Sequence, residues 1–302
     1  MTLFHKRLVI VIMAVFALAV LSVGLLYDFW PRPYFLNELT MQGTDDSGKV
    51  IWINFQAIRS QTIINYDHYY TATVKYDGQI FRQMTQFSKF SDSIVPQGLL
   101  KSFNNYKNTE QAEEEYNLAF TIDGHELSIE IPTIQADFLA KSNYRYVRYI
   151  GVGSFKGTID QKSIRGNVKA DVIMSSDGKQ ATISRGVKYS GQSISLWDEM
   201  NNYYQIDVSE VAPNNTGYSS HQWALYKSAA SGEMRKLRQM NIARTTSSLI
   251  ITLPELNDTK ISLTQFSALP ADTNNQSGLA TGVITDTTDQ RNIAGEYQFY
   301  NN

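Results

Sequence analysis

Cysteine is absent from all 302 residues, and histidine occurs only 4 times. The first absence removes disulfides, thiolate nucleophiles, zinc–thiolate centres and iron–sulfur clusters. The second leaves His68, His125 and His221 isolated along the chain, none at metal-ligand spacing. No G-x-S-x-G elbow marks a nucleophilic serine. The run Gly151-x-Gly153-x-x-x-Gly157 has the wrong spacing for a nucleotide loop and no helix after it, so it reads as a strand kink or bulge. No pattern calls for a cofactor or a metal. A basic excess is missing too: Lys and Arg number 27 against 29 Asp and Glu. From Tyr34 onward the balance is 24 basic to 28 acidic, a net charge of −4, which gives no reason to expect a nucleic-acid partner.

What the chain does have is one long apolar run. Leu8 to Tyr27 are 20 residues without a charge, preceded by His5-Lys6-Arg7 and followed by Asp28-Phe29-Trp30-Pro31. As a helix this run is about 30 Å long, the thickness of a bilayer's hydrocarbon core. Lys6 and Arg7 suit the cytoplasmic side, and Tyr27, Phe29 and Trp30 suit the opposite interface. A cleaved signal peptide is the competing reading, but its apolar core is usually shorter and a small-x-small site follows it. Here Ala17-Leu18-Ala19 lies inside the run and bulky residues follow Leu26. The expectation is an uncleaved single-pass anchor over residues 1–30 in the cell membrane, a linker over 31–41 stiffened by Pro31 and Pro33, and an extracytoplasmic C-terminal part.

Beyond the linker the pattern is that of short strands. Ile51, Ile53, Phe55 and Ala57 share one face, Asn54 and Gln56 the other. Asp77-Gly78, Asp123-Gly124 and Asp177-Gly178 each sit between alternating runs and signal hairpins. The clearest has Leu118, Phe120 and Ile122 entering and Leu127, Ile129 and Ile131 returning. Further strands are expected near Tyr144–Phe155, Ile164–Ile173, Trp223–Tyr226, Leu249–Leu253, Ile261–Phe266, Leu279–Thr285 and Glu296–Tyr300. Helix is scarce: Thr109–Tyr116, capped by Thr109, and Ser195–Tyr204 are the two candidates. Many strands and little helix predict an all-β barrel or sandwich.

Several segments, in order, carry a family resemblance. Tyr69-Tyr70-Thr71-Ala72-Thr73-Val74, Gly78-Gln79-Ile80-Phe81 and Phe87-Ser88-Lys89 come first. Tyr144-Arg145-Tyr146, Gly153–Ile159 and Ile164–Asp171 follow, then Trp223–Arg238 with Gly232-Glu233-Met234, and finally Gly282-Val283 and Gly295-Glu296-Tyr297. Together they resemble the lipocalin-like family of carotenoid 1,2-hydratases, AttH-like proteins and related pericyclases. The resemblance implies two consecutive lipocalin-like β-barrel or sandwich lobes, assigned to residues 42–190 and 191–302. It also places candidate ligand-binding residues on the matching motifs: Tyr70, Tyr146, Lys169, Trp223 and Tyr297. In the family's central motif a tryptophan, an aspartate and an arginine line a pocket near the joint between lobes. The aspartate is kept as Asp171, the catalytic candidate, but Lys169, Val172 and Met174 stand at the two tryptophan positions and the arginine position.

The leading expectation is a membrane-anchored protein that binds an apolar or amphiphilic small molecule, of lipid or isoprenoid type, in a β-lined cavity. A hydratase or pericyclase acting through Asp171 at the inter-lobe pocket is the first alternative. It requires a raised carboxyl pKa and a fixed partner, and no helper for Asp171 is near it in sequence. A surface module for glycans or proteins is the second, and calls for an exposed aromatic stripe, for example around Trp197–Tyr204. Asp45-Asp46-Ser47-Gly48 and Asp286–Asp289 read as plain turns, not calcium loops.

Overall fold

The computed structural model describes Met13 and residues 34–61, 66–87, 113–135, 138–142, 146–175, 189–211, 221–245, 247–268, 275–287 and 289–301. The apolar run Leu8–Tyr27 therefore lies outside the described residues apart from Met13, as do Thr109 and Asp177-Gly178. No described helix is long and apolar enough to cross a membrane.

From Tyr34 on, the described chain is strand joined by turns, with one 3₁₀ turn at Pro254–Leu256. The first group comprises β1 (Tyr34–Asp45), β2 (Val50–Gln61), β3 (Tyr66–Tyr76), β4 (Gln79–Phe87), β5 (Glu113–Ile122), β6 (His125–Gln135), β7 (Phe138–Ser142), β8 (Tyr146–Ile159) and β9 (Lys162–Ser175). The second comprises β10 (Tyr189–Asp198), β11 (Tyr203–Val211), β12 (His221–Lys227), β13 (Met234–Leu237), β14 (Asn241–Arg244), β15 (Leu249–Leu253), β16 (Thr259–Ala268), β17 (Asn275–Thr285) and β18 (Gln290–Asn301). All pairings are antiparallel, and each group forms its own nine-stranded sheet.

The first sheet runs β4-β3-β2-β1-β9-β8-β6-β5, with β7 also on β8, and curls until β4 meets β5. It is a nearly closed barrel. His125, at the start of β6, helps shut it: its ring lies 4.1 Å from Phe81 on β4, and Nδ1 meets Asp160 Oδ2 at 2.6 Å. The second sheet runs β13-β12-β11-β10-β18-β17-β16-β15-β14 and is a half-barrel. One plan underlies both, because in each the first strand pairs with the last, β1 with β9 and β10 with β18. Even the first turn recurs. Asp45 Oδ1 accepts the N–H groups of Ser47 and Lys49, Asp198 Oδ1 accepts those of Met200 and Asn202, and a left-handed residue (Gly48, Asn201) sits fourth in each turn.

Alternation decides what each sheet buries. Leu39, Met41, Ile51, Ile53, Phe55, Tyr70, Tyr116, Leu118, Ile129 and Val168 fill the barrel. Ile194, Leu196, Tyr204, Ile206, Ile251, Ile261, Leu263 and Ile284 line the half-barrel. The opposite faces of β1, β2 and β9 are buried as well: Glu38, Thr40, Trp52, Asn54, Lys169 and Asp171 are all covered, and Thr40 and Lys169 bond to Glu296 and Ser195 of the second lobe.

Three expectations are corrected. Residues 34–41, read as linker, form most of β1, because Leu36, Leu39 and Met41 pair in register with β2 and β9. Ser195–Tyr204 is not a helix but the end of β10, a turn and the start of β11, and Glu113–Tyr116 opens β5. In both places pairing with a neighbouring strand overrides a weak helical preference, and Ser195–Asp198 and Asn202–Tyr204 are buried on both faces of their strands. The glycines of β8 mark no bulge, since the register of β8 with β9 is unbroken. They lie where the strand exchanges partner from β7 to β6, and a Cβ on Gly157 would stand 2.1 Å from the Ser128 carbonyl oxygen.

Candidate functional site

Strand register places a polar cluster at the centre of the lobe junction. On β1, Thr40 is opposite Lys169 of β9 and Asn54 of β2. On β10, Ser195 is opposite Glu296 of β18 and Gln205 of β11. Counted from the shared first turn, Thr40, Asn54 and Lys169 correspond to Ser193, Asp207 and Gln298, so Ser195, Gln205 and Glu296 lie on the same face two positions nearer that turn along their strands. The lobes meet through these pairs: Thr40 Oγ1 donates to Glu296 Oε2 at 3.0 Å, and Lys169 Nζ donates to Ser195 Oγ at 3.2 Å.

Hydrogen bonds extend from this square in both directions. Asn54 and Gln56 donate to Glu38 Oε1 at 2.8 and 2.7 Å, and Lys169 Nζ is 3.8 Å from Glu38 Oε2. Ser195 and Tyr203 both donate to Gln205 Oε1 at 2.6 Å. Gln205 then leads through Ser193 to Asp207. Arg148 on β8 ends the chain of contacts. Its guanidinium holds both oxygens of Asp171 at 2.9 and 2.6 Å, reaches Asp207 at 2.9 Å, and lies 5.5 Å above the Trp223 ring.

Buried charge of this density moves pKa values. Burial, reinforced by the carboxylate of Glu38 and opposed by Lys169, raises the Glu296 carboxyl to about 7. Burial also works against the Lys169 ammonium, but Glu38 and Glu296 outweigh it and its pKa is raised. Burial pushes the Tyr203 hydroxyl up to about 12. At neutral pH Glu296 is thus poised between its two protonation states.

The sequence candidates fall into separate places. Lys169, Asp171 and Trp223 lie at the lobe junction, where Asp171 is 2% exposed. Its helper is Arg148, 23 residues earlier on the neighbouring strand. Tyr70 lies inside the barrel, 1% exposed and stacked on Phe55 with ring centres 6.4 Å apart. Tyr146 begins β8 opposite Ser142 and Ser175. Tyr297 faces the inside of the half-barrel. Tyr70, Tyr297 and the junction residues Lys169 and Trp223 therefore lie in three separate places. The aromatic residues Trp197, Tyr203 and Tyr204 are buried, so the stripe expected of a surface-binding module is absent from that segment. Nor do the acidic turns stand open: Asp45 accepts bonds from Ser47, Lys49 and Tyr76, and Arg291 ties Asp286 and Asp289 to Asp198.

A second feature escaped the sequence reading. At one end of the half-barrel, Phe266, Tyr297 and Phe299 form an aromatic cluster with ring centres 4.9 to 6.1 Å apart. All three point inward, yet Phe266 is 38% exposed, and Phe299 and the neighbouring Val208 are only partly covered. Arg244, on the same inward face of β14 as Ile242, lies over Phe299 at 4.9 Å.

No protein-family model matches the chain, and no curated protein sequence does. Solved structures do. An AttH-type protein of Nitrosomonas europaea, NE1406, superposes with a TM-score of 0.54 at 10% identity, covering 90% of this chain and 93% of its own. Kievitone hydratase of Nectria haematococca does so with a TM-score of 0.56 at 8% identity, covering 89% and 88%. The fold is lipocalin-like. Both lipocalin-like lobes are spanned by these matches, which carry the architecture and nothing further.

Proposed function

We propose that this chain binds an apolar or amphiphilic small molecule, of lipid or isoprenoid type, at the open end of its second lipocalin-like lobe. The observation that carries this reading is the inward-facing, solvent-exposed Phe266 beside Tyr297 and Phe299. A soluble fold seldom leaves an aromatic cluster of this kind uncovered without a use for it. The first lobe offers no such place among its described residues, since Tyr70, Tyr116 and Phe55 fill its interior. In the same proposal Leu8–Tyr27 anchors the chain in the cell membrane, with the lobes outside the cytoplasm and close to a source of lipophilic ligand. N-phenyl-1-naphthylamine, a neutral probe that fluoresces in apolar surroundings, tests the ligand seat. Its binding is expected to weaken at least about tenfold in Phe266→Asp. Unchanged binding in that variant removes the reading.

A second reading has one observation in its favour. Glu296 is a buried carboxyl with a pKa near 7, held by Thr40 and Gln298 between the lobes. That is the equipment of a general acid, and kievitone hydratase carries hydration in its name. In this reading Glu296 donates the proton, while Asp171, with both oxygens on Arg148, is a positioning group. Infrared difference spectra following the carboxyl band test it. A protonated carboxyl that titrates near pH 7 and disappears in Glu296→Gln is expected. A band already absent at pH 5 excludes Glu296 as the donor.

A further inference from the structure

The mouth of the second lobe contains a cation as well as aromatic rings. Arg244 lies on β14, two residues after Ile242 and opposite Leu249, both of which face the interior. It is exposed, its guanidinium rests over Phe299, and no carboxylate pairs with it among the described residues. The arginines at the lobe junction and the nearby turn are different. Arg148 is bound to Asp171 and Asp207, and Arg291 to Asp198, Asp286 and Asp289. An arginine on the concave side of a β-sheet, without a carboxylate partner among the described residues and over one ring of a three-ring aromatic cluster, has two unused properties. Its planar fork matches a carboxylate's two oxygens, and its neighbours present apolar surface to whatever the carboxylate is attached to.

We infer that the ligand of this mouth is an anionic single-chain amphiphile. Its carboxylate head sits on Arg244 and its apolar chain runs over Phe299, Tyr297 and Phe266. The inference rests on the mouth being the ligand seat, and adds the charge and chemical class of what enters it. Orientation follows from the placement: Arg244 is exposed at the rim, Phe299 is partly covered, and Tyr297 is buried deeper. The head therefore remains near water while the chain points inward, as the desolvation cost of a carboxylate requires.

Two photoreactive probes test this on the full-length chain in lipid nanodiscs: a diazirine-bearing dodecanoic acid and the matching dodecanol. Cross-linked peptides are mapped by mass spectrometry and labelling is titrated. Both probes are expected to label peptides containing Phe266 or Phe299. The acid is expected to half-saturate at about tenfold lower concentration, the worth of one charge-assisted pair at a half-open site. Arg244→Gln is expected to bring the acid to the alcohol's level and leave the alcohol unchanged, and Arg244→Lys to restore part of the preference. Equal half-saturation in the unmodified protein overturns the inference, as does a preference for the acid that persists in Arg244→Gln. Label from both probes that avoids these peptides overturns the seat itself, a result distinct from the loss of charge preference.

Discussion

The two lobes share one strand plan and one first turn, yet they close differently. In the first, β4 returns to β5, and the inward side chains Phe55, Tyr70 and Tyr116 are sealed. In the second, the edge strands β13 and β14 leave a half-barrel, and Phe266 faces inward while remaining exposed. The difference teaches that one strand plan accommodates both a lobe whose described interior is filled by side chains and a lobe left open at one end. The sealed lobe serves as a platform, and its outer face supplies Glu38, Lys169, Asp171 and Arg148 to the junction. The open lobe supplies the apolar surface.

Core truncation breaks this comparison most severely. Phe55→Ala in the sealed lobe is expected to cost about 3–5 kcal/mol, the usual loss for a buried phenylalanine. Phe266→Ala in the open lobe is expected to cost about 1–2 kcal/mol, because part of that ring is already in water. Urea unfolding of the two variants measures both. Lys169→Met ranks alongside the larger effect. It leaves Glu38 and Glu296 buried without their shared cation, a change expected to cost about 3–5 kcal/mol at pH 8 and less at pH 5.

The pH dependence comes next in size. Glu296 has its folded pKa raised from 4.5 to about 7, so its contribution to stability is fully present below pH 4.5 and is lost as pH rises through 7. The shift corresponds to about 3 kcal/mol. Glu296→Gln, which keeps the shape and removes the titration, is expected to flatten the stability profile between pH 5 and 8. The smallest effect is expected at the rim of the first lobe. Lys49 and Asp77 form an exposed pair at 2.5 Å, and Asp77→Asn, which suits the positive φ of that turn position, should leave the urea-unfolding midpoint nearly unchanged.

Much of the architecture was legible because sheet alternation is a local signal. The hairpins at Asp77-Gly78 and Asp123-Gly124 are present, with Asp and Gly both at positive φ, and Leu249–Leu253 is a strand over the expected span. The two-lobed all-β fold is supported by structural likeness. The turn at Asp160-Gln161 was missed, since neither residue is glycine, although both adopt positive φ. The junction was legible only in fragments. Lys169 and Asp171 could be singled out, but Arg148 reaches Asp171 across a strand pair, and Glu296 comes from the far end of the chain. A usable signal for Glu296 did exist: a carboxylate between Gly295 and Tyr297, two inward positions of one strand, must face the other side of the sheet. Nothing local could reveal that this other side is covered by a second lobe.

The central claim is that apolar ligand enters the open lobe and not the sealed one. Crystals soaked with 1-bromododecane measure this directly, because bromine scatters anomalously and marks its own position. The account predicts a bromine peak, with continuous chain density, against Phe266, Tyr297 and Phe299. A peak among Phe55, Tyr70 and Tyr116 inside the first barrel would contradict it.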